Sequence, residues 1–223
     1  MTNELRVAVE SGPKGRKFAA VAPDFPGLER GAKTAEAAVE KLRDYLPRYE
    51  KVAKLAKMNS DFSSITEVNE VERYLGTGST DFWGISFAFS SFDKQDMSSD
   101  QLVRELTLMR ACWKFFDEVR ARASAQMQSG PRGGGRDRDG IVRHTLAVEQ
   151  DWARKVGVHT RDGEVVLDVQ GLKVYRDAYG KAIRTYHSEG RMARTWPLRY
   201  LIRHTAFHTM DHAWEMEDKN LTA

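Results

Sequence analysis

The sequence has few of the residues that mark extracellular or membrane proteins. Only one of its 223 residues is a cysteine, Cys112, so no disulfide can form within the chain and nothing indicates an oxidising compartment. No apolar run approaches the roughly 18 residues of a membrane span, and the charged N-terminus lacks the apolar segment of a signal peptide. We therefore expect a soluble, cytoplasmic protein with no membrane partner.

Neither sign of charge is in large excess. Lys and Arg number 35 against 32 Asp and Glu, a balance that argues against a dedicated nucleic-acid binder. Apolar residues make up 41% of the chain, which excludes a wholly disordered protein. All six histidines lie from His144 onward, so a histidine-based site would belong to the second half.

Residues 1–75 have the pattern of a small β-β-β-α-β unit. Alternating apolar residues predict strands at 5–11, 17–24, 28–32 and, more weakly, 63–74. Thr34 is placed to cap the helix that follows the third strand, and Pro47 is expected to interrupt that helix.

The run VAPDFPGLERGAKTAEAAVEKL, residues 21–42, resembles the HicB-like domain of toxin–antitoxin antitoxins. That domain has a similar strand, a "DxPG" turn, a short strand and a helix that opens at a threonine. The resemblance covers residues 1–75 and indicates a fold rather than a catalytic site. An antitoxin function would require DNA or toxin binding, and no helix-turn-helix signal is apparent in the sequence.

Residues 76–97 are rich in Gly and Ser and carry five Phe or Trp side chains. So many aromatic residues favour a connector packed against the rest of the protein over a free linker. A substrate-facing aromatic loop is the alternative interpretation.

Four amphipathic stretches follow in residues 98–223. Ser98 and Gln101 form a capping-box pattern at the start of the first, and Pro197 suits the first turn of the last. Their apolar stripes predict a four-helix bundle, which makes the whole chain an α+β protein.

Three histidines are predicted to point into this bundle. His208 and His212 lie one turn apart on the apolar stripe of the last helix, and His144 lies on the stripe of the second. Imidazole ligands suit zinc, nickel, copper or iron, and three of them leave positions open for water or substrate. Hydrogen-bonded core histidines are the alternative. His204 lies too far around and along the helix to complete the same site.

The segments RHTLAVEQDWARKVG and WPLRYLIRHTAFHTMDHAWEMEDK, residues 143–157 and 196–219, resemble the DinB superfamily of helical metal proteins. The match spans residues 98–223. It implies a metal triad of His144, His208 and His212 that holds a divalent ion such as zinc, nickel or iron. Family members of known activity are thiol-dependent S-transferases and isomerases, which implies a low-molecular-weight thiol as cofactor.

Other polar residues are weaker candidates. Glu149 and Asp211 are candidates to orient the imidazoles, or are plain surface carboxylates. Arg194 and Arg199 are candidates for anion binding, with a solvated basic face as the alternative. We expect a small-molecule substrate and a homodimer. The competing hypothesis is a non-catalytic, stress-related binding or scaffold protein that uses the HicB-like domain to dock a partner.

Overall fold

The computed structural model describes residues 3–130, 135–161 and 164–221, and it confirms the α+β class. Its sheet has the strand order β3-β2-β1-β4, with β1 at Glu4–Ser11, β2 at Phe18–Val21, β3 at Glu29–Ala32 and β4 at Glu67–Leu75. The pairs β1–β2 and β2–β3 are antiparallel, whereas β4 lies parallel to β1. All four predicted strands are therefore present, and β3 and β4 form the two edges.

The helical segment between β3 and β4 is divided in three: α1 at Ala35–Asp44, α2 at Leu46–Leu55 and α3 at Asn59–Ser63. The Thr34 hydroxyl accepts a hydrogen bond from the backbone N–H of Ala37 at 3.1 Å, which confirms the predicted cap. Pro47 lies in the first turn of α2, where its missing N–H costs nothing, and the interruption before it is confirmed. The short helix α3 was not predicted.

Residues 76–97 contain two further short helices, α4 at Gly78–Trp83 and α5 at Ser91–Lys94. Carboxylates of the sheet hold this connector in place. Glu10 accepts hydrogen bonds from the backbone N–H groups of Phe87 and Ala88, both at 2.9 Å. Two of the five aromatic side chains, those of Phe82 and Trp83, are 67% and 63% exposed and do not pack into the core.

The second half consists of four long helices, α6 at Ser99–Arg122, α7 at Arg138–Ala153, α8 at Val169–Ser188 and α9 at Leu198–Asp218. They match the four predicted amphipathic stretches, and the Ser98–Gln101 capping box is present. Among the described residues, no helix combines the length and apolar character needed to cross a membrane.

Helix α9 is the centre of the molecule. It packs against α6 and α7, and its other side reaches the sheet, where Arg30 of β3 donates to Asp211 at 2.8 Å. Buried residues occur on every face of α9, as expected for a helix that is covered all round. One continuous apolar cluster extends from Leu5 of the sheet to Met216 of α9. The sheet and the long helices therefore share a core, while the division at residues 75 and 98 stays a prediction.

Candidate metal centre

The structure brings together the three histidines that the sequence singled out. On α9, the rings of His208 and His212 have centroids 4.5 Å apart. The ring of His144, from α7, lies 5.2 Å from His208 and 4.9 Å from His212. The ligand nitrogens of the three side chains all lie within 4.8 Å of one another. Among the described residues, no other group of His, Cys, Asp or Glu has this geometry.

Local interactions fix the position of His144. Asp137 caps the N-terminus of α7, and its carboxylate accepts a hydrogen bond from the backbone N–H of Gly140 at 2.7 Å. Buried Ile141, one turn before His144, faces the core and orients α7 against α9. Two turns further along α7, the ring of Trp152 packs edge-on against His208 at 5.3 Å. The site therefore has an aromatic wall on one side.

Burial favours the neutral form of two of the three imidazoles, those of His208 and His144. The pKa of His208 is held well below its ordinary value, first because burial disfavours the charged ring and then because His212 and His144 lie close by. The pKa of His144 is lowered for the same two reasons, burial and the neighbouring His212. A neutral imidazole has a free lone pair, which is the form that binds a metal ion.

Glu215 orients one of the three candidate ligands, His212. Its Oε2 atom lies 2.7 Å from Nδ1 of His212, and its other oxygen accepts a hydrogen bond from Lys219. The hydrogen bond to His212 is the main reason that the pKa of Glu215 is lowered to about 2. This contact leaves Nε2 of His212 as its free ligand atom. Glu215 is not among the residues predicted from the sequence, although its spacing of three residues from His212 places it on the same helix face.

Glu149 and Asp211 do not serve as the orienting carboxylates that the sequence analysis suggested. Glu149 is buried and accepts two hydrogen bonds from Arg176, each at 3.0 Å, while Asp211 pairs with Arg30. Neither carboxylate bonds to an imidazole of the described residues. The reason is angular: Glu149 lies about 140° around α7 from His144, and Asp211 about 100° around α9 from His212.

Arg194 and Arg199 do not form a common anion site. Arg194 is exposed in the turn between α8 and α9, with a φ of 57°. Arg199 is only 6% exposed and donates to Glu105 at 2.6 Å and to the backbone carbonyl of Phe92 at 3.1 Å. The alternative of a solvated basic face is also wrong for Arg199, because the sheet, the connector and α6 cover this part of α9.

His204 lies outside the triad, as predicted. Its ring is 2% exposed, stacks on Tyr200 at 4.9 Å and lies 4.6 Å from Trp152. Burial lowers its pKa to about 3, and its Nδ1 atom has no hydrogen-bond partner among the described residues. It acts as a neutral aromatic residue that packs beside the site.

A large cavity among the described residues does not coincide with these histidines. It has a volume of about 750 Å³ and lies among α6, α7 and α8, where the described lining residues include none of the three. Arg176 and Asp177 on its wall already have partners, in Glu149 and Lys173. The histidine cluster is the better candidate site because it has convergent ligand atoms, which cavity size alone does not supply.

Comparisons with protein-family models, with curated proteins and with solved structures found no match to this chain. The resemblances to the HicB-like domain and the DinB superfamily therefore rest on the sequence motifs alone.

Proposed function

We propose that the chain is a metal-dependent enzyme in which His144, His208 and His212 hold a divalent ion. The observation that carries the proposal is the convergence of three imidazoles from two helices, with ligand nitrogens within 4.8 Å of one another. Two nitrogens bound to one ion lie at most about 4.2 Å apart, given ligand distances of about 2.1 Å. An ion would therefore require the widest pair of nitrogens to close by up to about 0.6 Å. Zinc, nickel and iron all accept this donor set.

The number of protein ligands favours a reactive site. Structural zinc sites have four protein ligands, whereas catalytic sites have three and leave a position open. When bound, the ion would lower the pKa of a coordinated thiol or water and so supply a nucleophile at neutral pH. Glu215 would hold the His212 ring in place, and the partial exposure of His144 and His208 would admit a small substrate. The resemblance to the DinB superfamily favours a thiol-dependent S-transferase over a hydrolase.

Metal content measured on untagged protein tests the proposal. We would load the parent and the His144→Ala, His208→Ala and His212→Ala variants with zinc, nickel and iron in turn, and measure bound metal by mass spectrometry. His159→Ala is the matched control, because His159 is exposed and lies outside the cluster. We expect near-stoichiometric metal in the parent and the control, and its loss from each of the three variants.

Two results would overturn the proposal. If the parent bound none of the metals, or if the three variants kept the ion, the histidines would be ordinary core residues. If metal bound but neither thiol–electrophile conjugation nor hydrolysis occurred across a broad substrate panel, the enzyme assignment would be wrong. The non-catalytic binding protein would then be the better description.

A further inference from the structure

A second cavity lies between the edge strand β3 and α9. Its volume is about 250 Å³, and its wall is strongly cationic. Four of its lining side chains are positively charged and one is negatively charged: Lys17, Arg30, Lys33 and Lys41, against Asp211. Trp83 and Phe207 add an aromatic wall. Four cations beside one carboxylate leave an excess of positive charge that an anion can neutralise.

Arg30 is the best-fixed cation of this cavity. Its side chain is only 8% exposed, and its Cζ atom lies 4.0 Å from the ring centroid of Tyr45 and 4.3 Å from that of Trp214. Asp211 accepts one hydrogen bond from Nη1, whereas Nε and Nη2 have no partner among the described residues. A guanidinium has five N–H donors, so this buried group has unused hydrogen-bonding capacity.

The connector closes one side of the cavity. A Cβ atom on Gly31 would lie 1.8 Å from the carbonyl oxygen of Gly84, so only glycine lets these two segments approach so closely. Backbone carbonyls hold two of the lysines at the wall. Lys17 donates to Phe82 at 2.6 Å, and Lys41 donates to Gly31 at 3.4 Å. The ammonium groups are thus partly preorganised.

The cavity and the histidine cluster lie on neighbouring faces of α9, with Asp211 about 60° around the helix from His208. Asp211, which bonds Arg30, is the residue directly before His212 and lies about 4.5 Å along the axis of α9 from His208. A molecule of moderate length whose one end occupied the cavity could therefore place its other end near the three imidazoles.

We propose that this cavity binds an oxyanion, the carboxylate or phosphate group of the small molecule on which the metal centre acts. The part that links the cavity to the metal centre rests on the proposed function. An oxyanion would share the Arg30 guanidinium with Asp211 and accept hydrogen bonds from the lysines. Charge-assisted hydrogen bonds of this kind are stronger than hydrogen bonds between neutral groups.

Calorimetric titration with two simple probes tests the proposal. Inorganic phosphate and succinate would each be titrated into metal-free and metal-loaded protein. The key variants are Lys33→Ala and Lys41→Ala, because both side chains are exposed and their removal leaves the core intact. Lys54→Ala is the matched control, since this exposed lysine of α2 pairs with Glu50 away from the cavity. Arg30→Gln is a further variant, but it also removes a buried contact.

We expect one of the probes to bind metal-free protein, and each cavity lysine variant to bind it about tenfold more weakly. The control should bind as tightly as the parent. Preference for phosphate would identify a phosphate-bearing ligand, and preference for succinate a carboxylate. No binding of either probe, or binding that the cavity lysine variants leave unchanged, would overturn the proposal.

The same experiment separates this inference from the proposed function. Lysine-dependent anion binding by a protein that takes up no metal would support the cavity and contradict the metal centre, and with it the link between the two. Anion binding that requires the metal and survives both lysine substitutions would contradict the cavity and leave the metal centre standing.

Discussion

The Oε2 atom of Glu215 lies 2.7 Å from Nδ1 of His212, one turn along the same helix. Lys219, a further turn along, donates to the other carboxylate oxygen. A carboxylate that is held on both sides keeps the imidazole in one orientation and one tautomer. Glu215 is therefore a positioning residue of the candidate metal centre, and it defines which nitrogen of His212 faces the other two rings.

Glu215→Gln is expected to weaken metal binding by about 10- to 100-fold. A neutral amide holds the His212 ring less firmly than the carboxylate does, and it raises the basicity of the ring less. Competition with a chelator of known affinity would measure the change. Glu118→Gln, at an exposed glutamate of α6, is the control. Unchanged affinity in Glu215→Gln would show that the carboxylate has no role in positioning.

Glu149→Gln is expected to destabilise the fold without changing metal affinity. It leaves the buried Arg176 guanidinium with only the half-exposed Asp117 as a charged partner, which should lower the free energy of unfolding by about 2–4 kcal/mol. Metal affinity should stay unchanged, because Glu149 faces α8. Urea unfolding and the same chelator competition check both parts, and a loss of metal affinity equal to that of Glu215→Gln would contradict the prediction.

Gly31→Ala is expected to destabilise the fold by about 1–3 kcal/mol. The added Cβ atom would meet the carbonyl oxygen and carbon of Gly84 at 1.8 and 2.8 Å, and backbone atoms cannot rotate away. Gly78→Ala is the matched control, because nothing lies within 4 Å of a Cβ atom there and helical alanine is favourable. Thermal unfolding of the two variants gives the comparison, and equal melting temperatures would contradict the close approach.

Glu29 should make stability depend on pH. Burial is the main reason that the pKa of Glu29 is raised to about 7. The nearby positive charge of Arg203 lowers this pKa and so offsets part of the effect of burial. Between about pH 5 and pH 7 the folded protein therefore holds a proton on Glu29 that the unfolded chain has released. The contribution of this group to stability is complete at low pH and is lost as the pH rises through 7.

The measurement is the difference in unfolding free energy between the parent and Glu29→Gln. We expect the unfolding free energy of the parent minus that of Glu29→Gln to fall by about 2 kcal/mol from pH 5 to pH 8. Buried His204, whose lowered pKa gives a slope of the opposite sign, is present in both proteins and cancels in the difference. A difference that is constant with pH would mean that Glu29 is ionised in the folded protein and paired with Arg203.

The four strands and the long helices of this fold could be predicted because their signals are local, whereas the short helices α3, α4 and α5 were not predicted. The Thr34 cap, the Pro47 interruption and the Ser98–Gln101 capping box each depend on a few adjacent residues, and all three are present. The clustering of His144, His208 and His212 also followed from helical spacing on two apolar stripes, together with a family resemblance.

The partners of charged residues could not be predicted in the same way, because they come from distant parts of the chain. Glu105 lies 94 residues from the Arg199 that it pairs with, and Asp93 lies 110 residues from Arg203. The sequence pattern predicts that Arg199 is solvated or available to an anion, and it does not show what Arg203 contacts. Only the packing of α9 between the sheet and the other helices shows that they are internal.

The central position of α9 has a consequence for biosynthesis. A ribosome makes this helix after every other described element, yet it supplies two of the three candidate ligands and the surface against which α6 and α7 pack. His144 precedes His208 by 64 residues, so the nascent chain carries one ligand long before the other two emerge. During that interval the apolar surfaces that α9 will cover are exposed on the growing chain. An ion held as we propose would bind only after α9 has been made.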